Sequence, residues 1–453
     1  MSSPPAGFPL FPPGFRFGTS TASYQIEGAA DEDGKGPSIW DTFAHTEGRI
    51  SDGSTGDVAC DHYHRYGEDV ALMKRLGTGG YRFSISWPRV QPDGRGAVNE
   101  KGIDFYDRLV DALLEAGQQP MATLYHWDLP QALEDDGGWL NRETVDRFAE
   151  YAAICGERLG DRVEHWIPVN EPNVVTLLGY GMGMHAPGRT LLFDSLSVAH
   201  HVLLAHGRAA IELRRTASRA DVSIGCANNH APMWPASDDP ADVGATKLFD
   251  ALWNGMFLEP MLLGRYPVDI HPLMEGLIED GDLATIRQPL DFYGVNYYNP
   301  MKVAAASEDH DVPFEYRDVV GYPTTDFGWP VVPEALREWL ITFRARYRAA
   351  LPPIYITESG CAYNMGPDEN GVVDDQPRID YLASHLEAVS QAIQRGVDIR
   401  GYYCWSLMDN FEWAEGFSQR FGLVHVDYET LERTPKKSFD WYAAGIAAQP
   451  KHL

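Results

Sequence analysis

Positive charge is scarce in this sequence, which has 37 lysines and arginines against 65 aspartates and glutamates. The formal net charge at pH 7 is −28, and nucleic acids or anionic membrane surfaces are bound through basic patches, so neither is an expected partner. No apolar run reaches the roughly 18 residues that a membrane-spanning helix needs. Met1 to Pro13 contains no lysine or arginine, unlike a secretion signal, and we therefore predict a cytoplasmic protein.

Motifs for metals and cofactors are also missing. The five cysteines are widely spaced and form no C-x-x-C pair, which argues against a zinc ribbon or a thioredoxin-like site. His62 and His64 form an H-x-H pair without an evident third ligand. The glycine-rich segment from Gly28 to Gly36 lacks the spacing of a phosphate-binding loop. We expect reduced, buried thiols, no metal and no cofactor.

Eight short apolar or aromatic runs recur along the chain, with the nearly continuous apolar content of strands covered by helices. They lie at Phe15–Ala22, Gly80–Trp87, Gln119–Trp127, Val163–Val169, Val222–Asn228, Asp291–Tyr298, Pro353–Thr357 and Ile399–Ser406. Helical patterns lie between them, at Tyr66–Leu76, Ile103–Ala116, Thr144–Leu159, Ser195–Ala217, Pro333–Arg348 and Tyr381–Arg395. This alternation predicts an α/β fold, a (β/α)₈ TIM barrel.

No composition break or linker divides the sequence, so we expect residues 1–453 to form a single domain. Three long segments without a strand prediction follow predicted strands, at Asp31–Asp61, Met301–Trp329 and Asp409–Phe421. In a barrel, the loops that follow the strands build the active-site face, and we expect these three to contribute to it.

Two glutamates stand where predicted strands end. Glu171 closes an apolar strand and precedes a proline, and Glu358 closes another apolar strand before a turn. A single glutamate in such a position is more often an ion-pair partner. Two on one barrel rim can face each other across a pocket, where one protonates a leaving oxygen and the other attacks an anomeric carbon. The pair therefore indicates glycoside hydrolysis.

Several motifs together resemble those of glycoside hydrolase family 1 β-glucosidases, in the expected order and over essentially the whole chain. The segment from Phe15 to Ala29 resembles the family's N-terminal motif, Asn170-Glu171-Pro172 its acid/base motif, and Ile356-Thr-Glu-Ser-Gly360 its nucleophile motif. Further matching segments are Tyr81–Pro88, His126–Pro130 and Asn296–Tyr298. The resemblance implies a retaining β-glycosidase that cleaves a small-molecule β-glycoside or an oligosaccharide, with Glu171 as acid/base and Glu358 as nucleophile.

The resemblance also implies roles for other residues. Gln25, His126 and Asn170 would bind hydroxyls of the sugar being cleaved, with Asn170 on the 2-hydroxyl. Trp405 would stack under that sugar, while Glu412 and Trp413 would bind O3, O4 and O6. Arg82, Asn296 and Tyr298 would surround the nucleophile, and Trp127, Asn173 and Trp329 would line the leaving-group side. A cation and hydrogen bonds should lower the pKa of Glu358, and the acid/base needs a raised pKa.

The sequence departs from the family pattern at Pro168, where the family usually has threonine, and at Ser359, where asparagine usually follows the nucleophile.

A 6-phospho-β-glycosidase would need a phosphate clamp in place of Glu412-Trp413, a thioglycosidase would replace the acid/base glutamate by glutamine, and a non-catalytic sugar-binding protein would lack one carboxylate. Glucose, galactose and fucose all remain open as the sugar, because Glu412 can hold O4 in either orientation. The oligomeric state is open too, and the sequence is compatible with a homo-oligomer.

Overall fold

Eight parallel strands close on themselves into a barrel in the computed structural model, which describes residues 3–450. The strands are β1 (Arg16–Ser20), β2 (Gly80–Ser84), β3 (Gln119–Tyr125), β4 (His165–Val169), β5 (Ser223–Asn229), β6 (Phe292–Asn296), β7 (Ile354–Ser359) and β8 (Ile399–Trp405). Each pairs with its neighbours in chain order, and β8 pairs with β1 to complete the circle. The predicted (β/α)₈ barrel and all eight of its strands are confirmed, with ends shifted by a few residues.

Helices surround the barrel. Those of eight residues or more span His62–Leu76, Glu100–Glu115, Glu143–Leu159, Leu196–Thr216, Pro240–Asp250, Met256–Leu263, Pro333–Tyr347, Gln376–Gln394 and Lys437–Ala447. Shorter α-helices lie at Ser23–Ile26, Ile39–Ala44, Trp87–Val90, Gln131–Asp135, Pro172–Val174, His271–Met274 and Asp282–Ile286, and π-helical segments at Val175–Gly181 and Ala251–Gly255. All six predicted helices are present. Within the described residues, none of the helices is both long and apolar enough to span a bilayer.

The prediction that the segment Met301–Trp329, after β6, lacks strands is wrong in part. Met301–Ala305 and Phe314–Arg317 are antiparallel strands, and Met233–Pro235 pairs with the first of them to make a small sheet beside the barrel mouth. Burial does not alternate along either strand: the middle of the first is buried at two successive residues, and the second changes from half-buried to exposed. Neither strand therefore has the period-two pattern by which a strand is recognised in a sequence. The predicted long loop at Asp31–Asp61 likewise contains the helix Ile39–Ala44.

The interior of the barrel is filled rather than hollow. Met121, Ile167, Ala227, Phe292 and Tyr403, each from a different strand, pack together inside it. This packing leaves the carboxyl ends of the strands as the place where a cleft can form.

The early and late parts of the described chain pack together beside β1. Phe8 packs against Trp441 and Tyr442 at ring-centroid distances of 5.0 and 6.0 Å, and the Gln449 amide donates to the Pro9 carbonyl. Early and late parts of the chain thus stabilise one another. The predicted domain limits, residues 1 and 453, lie outside the described residues.

The structure accommodates Pro168 in the middle of β4 through a bulge. Trp166 pairs with Ile224 of β5 and Asn170 with Ala227, so four steps along β4 face three steps along β5. Pro168 lies between these two pairs, and a proline, which has no N–H to donate, is tolerated at a bulge. The bulge ends at Asn170, directly before Glu171, so this departure from the family pattern leaves the catalytic motif paired to the sheet.

Candidate active site

The two glutamates predicted from the sequence lie at the carboxyl ends of β4 and β7. Glu171 lies two residues beyond the last residue of β4, and its backbone N–H donates to the Ala227 carbonyl of β5 at 2.8 Å. Glu358 is part of β7 and pairs with Asn296 of β6. Their side chains are 4% and 3% exposed, so both carboxylates are held inside the protein. Glu171 also has a positive φ of 48°, a strained conformation that for a non-glycine residue is often associated with function.

Glu358 is bound by a cation and a phenol. Arg82 Nη1 donates to Glu358 Oε1 at 2.5 Å, and the Tyr298 hydroxyl donates to Oε2 at 2.8 Å. Arg82 is itself fixed, because its Nε donates to Thr123 Oγ1 and its Nη2 donates to Asn170 Oδ1 at 2.6 Å. This environment stabilises the charged carboxylate in one orientation.

Glu171 has a different environment. Its Oε1 accepts hydrogen bonds from the side-chain amides of Asn296 at 2.7 Å and Asn229 at 3.3 Å. Thr357 Oγ1 donates to Asn296 Oδ1 at 2.6 Å, which fixes the amide orientation. The contacts of Glu171 are therefore neutral groups, while Glu358 has a guanidinium.

These environments decide where a proton resides. Burial and the neighbouring Glu358 carboxylate raise the pKa of Glu171 to about 8. Burial also raises the pKa of Glu358, although Arg82 and Tyr298 oppose it. The expected lowering of the Glu358 pKa is therefore wrong in its net direction, since the sequence does not reveal how deeply this group is buried. Of the two carboxyls, Arg82 donates a hydrogen bond to Glu358 and not to Glu171, so a proton shared by them lies on Glu171.

Two of the predicted sugar-binding residues, His126 and Gln25, each have a buried polar atom without a hydrogen-bond partner in residues 3–450. The Asn170 side-chain amide donates to His126 Nε2 at 3.0 Å, so the His126 ring carries its proton on Nδ1, and Nδ1 is unpartnered. Burial lowers the pKa of His126 well below its usual value and keeps the ring neutral. Gln25 Oε1 is the second such atom, and its Nε2 donates to the Phe411 carbonyl. A free donor on one residue and a free acceptor on the other suit sugar hydroxyls.

A cavity of about 360 Å³ opens above the glutamates. The predicted site residues that line it are His126, Trp127, Glu171, Tyr298, Trp329, Glu358, Trp405, Glu412 and Trp413. Trp413 stacks obliquely on Trp127 at 4.5 Å, and His126 lies nearly parallel to Trp405 at 5.9 Å. Aromatic faces with a few fixed polar groups are what a pyranose ring requires.

The remaining predicted site residues are not among those that line the cavity. Gln25, Arg82, Asn170 and Asn296 each form a hydrogen bond to a residue that does line it: Glu412, Glu358, His126 and Glu171, respectively. Asn173, expected on the leaving-group side, is buried as well, and its amide donates to the Asn229 carbonyl at 3.2 Å.

No arginine or lysine is among the residues that line this cavity. Burial and the nearby Glu358 carboxylate raise the pKa of Glu412 to about 8, which leaves Glu412 neutral at pH 7. The expected repulsion of a phosphate by a charged Glu412 is therefore weaker than the sequence suggests. The lack of a cation in the wall is the stronger argument against a phosphorylated sugar.

Sequence reasoning missed Asn229 and Trp253. Asn229 is the last residue of β5 and contacts Glu171, and Trp253 Nε1 donates to Asn229 Oδ1 at 3.2 Å. The predicted strand stopped at Asn228, one residue short. A polar residue at the end of a barrel strand is the signal that could have identified Asn229.

The side chains of His62 and His64, the H-x-H pair, do not face a common position where a metal ion could bind. His62 Nδ1 contacts the buried Asp69 carboxylate at 2.7 Å, while His64 is exposed and contacts Asp61 and Glu32. Over residues 3–450, no group of three or more histidine, cysteine, aspartate or glutamate side chains is arranged to hold a metal ion.

Comparison with known proteins agrees with this geometry. Residues 9–450 match the model of glycosyl hydrolase family 1. The chain is 48% identical to β-glucosidase A of Acetivibrio thermocellus, covering 95% of this chain and 97% of that one. It is 44% identical to a bifunctional β-D-glucosidase/β-D-fucosidase of Bifidobacterium breve, covering 97% and 98%. The structure of a family 1 β-glucosidase from Thermotoga maritima superposes with a TM-score of 0.92 at 44% identity, covering 97% and 98%.

Proposed function

The chain belongs to glycosyl hydrolase family 1, and from this premise we propose that its β-glucosidase chemistry is carried out by Glu171 as acid and base and by Glu358 as nucleophile. It is a retaining β-glucosidase, because its relatives are β-glucosidases and the enzymes of this family hydrolyse with retention of the anomeric configuration. The observation that carries the assignment of roles is the asymmetry between the two carboxyls. Glu358 is bound to Arg82 and Tyr298, and Glu171 is bound to neutral amides with a pKa raised to about 8.

The reaction has two steps. Glu358 attacks the anomeric carbon and forms a glycosyl ester, while Glu171 gives its proton to the departing glycosidic oxygen. Esterification neutralises Glu358, so the like charge that raised the pKa of Glu171 disappears and that pKa falls. Glu171 then takes a proton from water, which attacks the anomeric carbon and releases Glu358. Both displacements invert the centre, and the product keeps the β configuration.

We propose that the sugar is bound through the neighbouring polar atoms. His126 Nδ1 and Gln25 Oε1 are buried without partners and suit hydroxyls, and Trp405 suits the face of the ring. Glu412, neutral at pH 7, can both donate to and accept from O4 or O6. Because it can hold O4 in either orientation, we propose β-galactosides and β-fucosides as further substrates beside β-glucosides.

We also propose that residues 1–453 act as one catalytic domain in the cytoplasm. The contacts of Phe8 with the helix Lys437–Ala447 support a single domain. The cytoplasmic location is supported by the five cysteines, which are all buried and unpaired, as expected of thiols in a reducing compartment.

Proton NMR of the first minutes of hydrolysis tests the proposed function. With an aryl β-D-glucoside as substrate, the β-anomer of glucose should appear first, and the α-anomer should grow in only by mutarotation. Heat-inactivated enzyme with the same substrate is the control. Initial release of α-glucose would contradict the double displacement, and no release of glucose would contradict the activity itself.

The pH dependence should report the acid. Glu171 must be protonated to assist departure of the leaving group, so activity is lost as pH rises through its pKa of about 8. We expect kcat/KM for an alkyl or simple aryl glucoside to fall about tenfold per pH unit above that value. A dinitrophenyl glucoside needs no proton for departure and should show a much weaker alkaline decline. Equal declines for both substrates would assign the alkaline limb to another group, such as Glu412.

A further inference from the structure

A second cavity, of about 260 Å³, adjoins the active-site cavity. Three residues, Met182, Trp253 and Tyr316, line both of them. An apolar cavity of about 150 Å³ already admits a benzene ring, so this space is large enough for part of a ligand.

The second cavity lies on the leaving-group side of the reaction. Glu171 protonates the departing oxygen, so the aglycone lies next to Glu171. Asn229 connects the two places, because its amide donates to Glu171 Oε1 and its Oδ1 accepts from Trp253 Nε1. A leaving group that extends away from Glu171 past Asn229 meets the Trp253 indole, which is also a wall of the second cavity.

The walls of this second cavity are apolar. On one side, Phe249 contacts Phe314 at 4.6 Å, Tyr316 at 5.4 Å and Trp253 at 5.9 Å between ring centroids. The other side is aliphatic apart from one phenyl ring, formed by Leu177, Met182, Leu192, Phe193 and Leu196. The lining contains no lysine, arginine or glutamate, and its polar side chains are those of Ser195, His310 and Asp311. Such walls favour a neutral hydrocarbon over a sugar or an ion.

Both π-helical segments of the described chain contribute to these walls. Val175–Gly181 supplies Leu177 and Gly181, and Ala251–Gly255 supplies Leu252 and Trp253. The extra residue of a π turn is often found where a helix is adapted to a functional site. In this chain the two π-helical segments meet at one cavity, outside the sugar-binding residues.

We propose that the second cavity binds the distal, apolar part of the aglycone, so that β-glucosides of medium-chain alcohols or extended aryl alcohols are preferred substrates. The proposal rests on the proposed function, because the position of the aglycone follows from Glu171 acting as the acid. The sugar and its glycosidic oxygen occupy the first cavity. The hydrocarbon passes Met182, Trp253 and Tyr316 into the second.

A chain-length series tests the proposal on the intact enzyme. Methyl, butyl, hexyl and octyl β-D-glucosides have leaving groups of similar acidity, so differences among them report binding of the chain. We expect kcat/KM to rise by up to about fourfold for each methylene that enters the cavity, and to level off once it is filled. A flat series from butyl to octyl would overturn the proposal.

Two variants test whether the dependence of kcat/KM on chain length arises in the second cavity. Phe193 lines only the second cavity and is partly exposed, so Phe193→Asp places a charge in the hydrocarbon path. The ratio of kcat/KM for octyl over methyl glucoside should fall at least about tenfold. Leu273→Asp makes the same kind of change at an exposed leucine that lines neither cavity, and its ratio should equal that of the wild type.

The possible failures are distinguishable. Turnover of methyl and aryl glucosides with no chain-length effect would overturn the second-cavity assignment and leave the proposed function standing. An unchanged ratio in Phe193→Asp would place the chain elsewhere and overturn the assignment too. Loss of turnover for every β-glucoside would overturn both proposals. If Phe193→Asp does not fold, the wild-type series still decides.

Discussion

Replacing Glu358 by alanine is expected to abolish hydrolysis of every β-glucoside, with kcat reduced by at least about 10⁵-fold. The alanine variant has no nucleophile to form the glycosyl ester, and Glu171, held by the amides of Asn296 and Asn229, cannot reach the same face of the sugar. Activated and unactivated leaving groups should be affected alike, because the missing step is the attack itself.

Small anions should restore a reaction in the Glu358→Ala variant. Arg82 and the Tyr298 hydroxyl, which bind Glu358 at 2.5 and 2.8 Å, lose their partner and form a ready site for azide or formate. The anion then attacks from the face that Glu358 used, and the product is an α-configured adduct. Its anomeric coupling constant, measured by NMR on the isolated product, checks the prediction.

Loss of activity in the Glu358→Ala variant must be separated from loss of folding stability. Removal of Glu358 leaves the buried Arg82 guanidinium without its carboxylate, which costs about 3–5 kcal/mol of stability in comparable cases. Glu27 offers a match. It is likewise buried, pairs with the buried Arg89 at 2.9 Å and accepts from the Tyr106 hydroxyl at 2.6 Å, and it does not line the cavity. Glu27→Ala should lose stability but keep activity when folded. A folded Glu358→Ala enzyme that retained hydrolysis, or that gave a β-azide, would contradict the assignment of the nucleophile.

The barrel and its two glutamates could be predicted from the sequence because both depend on local patterns. Each strand is a short apolar run between helical patterns, and Glu171 and Glu358 mark strand ends within sequences typical of one family. The bulge at Pro168 also has a local cause. The side chains that face the reacting atoms were mostly predictable for the same reason, since they follow the barrel strands.

What could not be predicted depends on contacts between distant segments. Asn229 and Trp253 became part of the site only through their hydrogen bonds to each other and to Glu171. The second cavity needs strand Phe314–Arg317 to fold over helix Pro240–Asp250, an arrangement with no signature in either segment. The raised pKa of Glu358 likewise follows from burial, which residue identity does not specify.

Replacing Glu171 by alanine should separate glycosylation from deglycosylation. A dinitrophenyl leaving group departs without a proton, so Glu358 still forms the glycosyl ester, whereas alkyl glucosides should lose about 10²–10⁴-fold in kcat/KM. Water then attacks the ester slowly because no base remains, the intermediate accumulates, and KM for the dinitrophenyl substrate falls together with kcat. The alkaline decline above pH 8 should disappear as well, since the group that titrates there is gone.

Azide should rescue the Glu171→Ala variant with the opposite stereochemistry. It enters the space left by Glu171, between Asn296 and Asn229, and attacks the glycosyl ester from the face opposite Glu358, which gives a β-azide. Glu171→Gln is the matched control, because glutamine fills that space and should block the rescue while it impairs acid catalysis equally. An α-azide from Glu171→Ala together with a β-azide from Glu358→Ala would invert the two roles. Rescue of Glu171→Gln as strong as that of the alanine variant would show that azide reacts from another position.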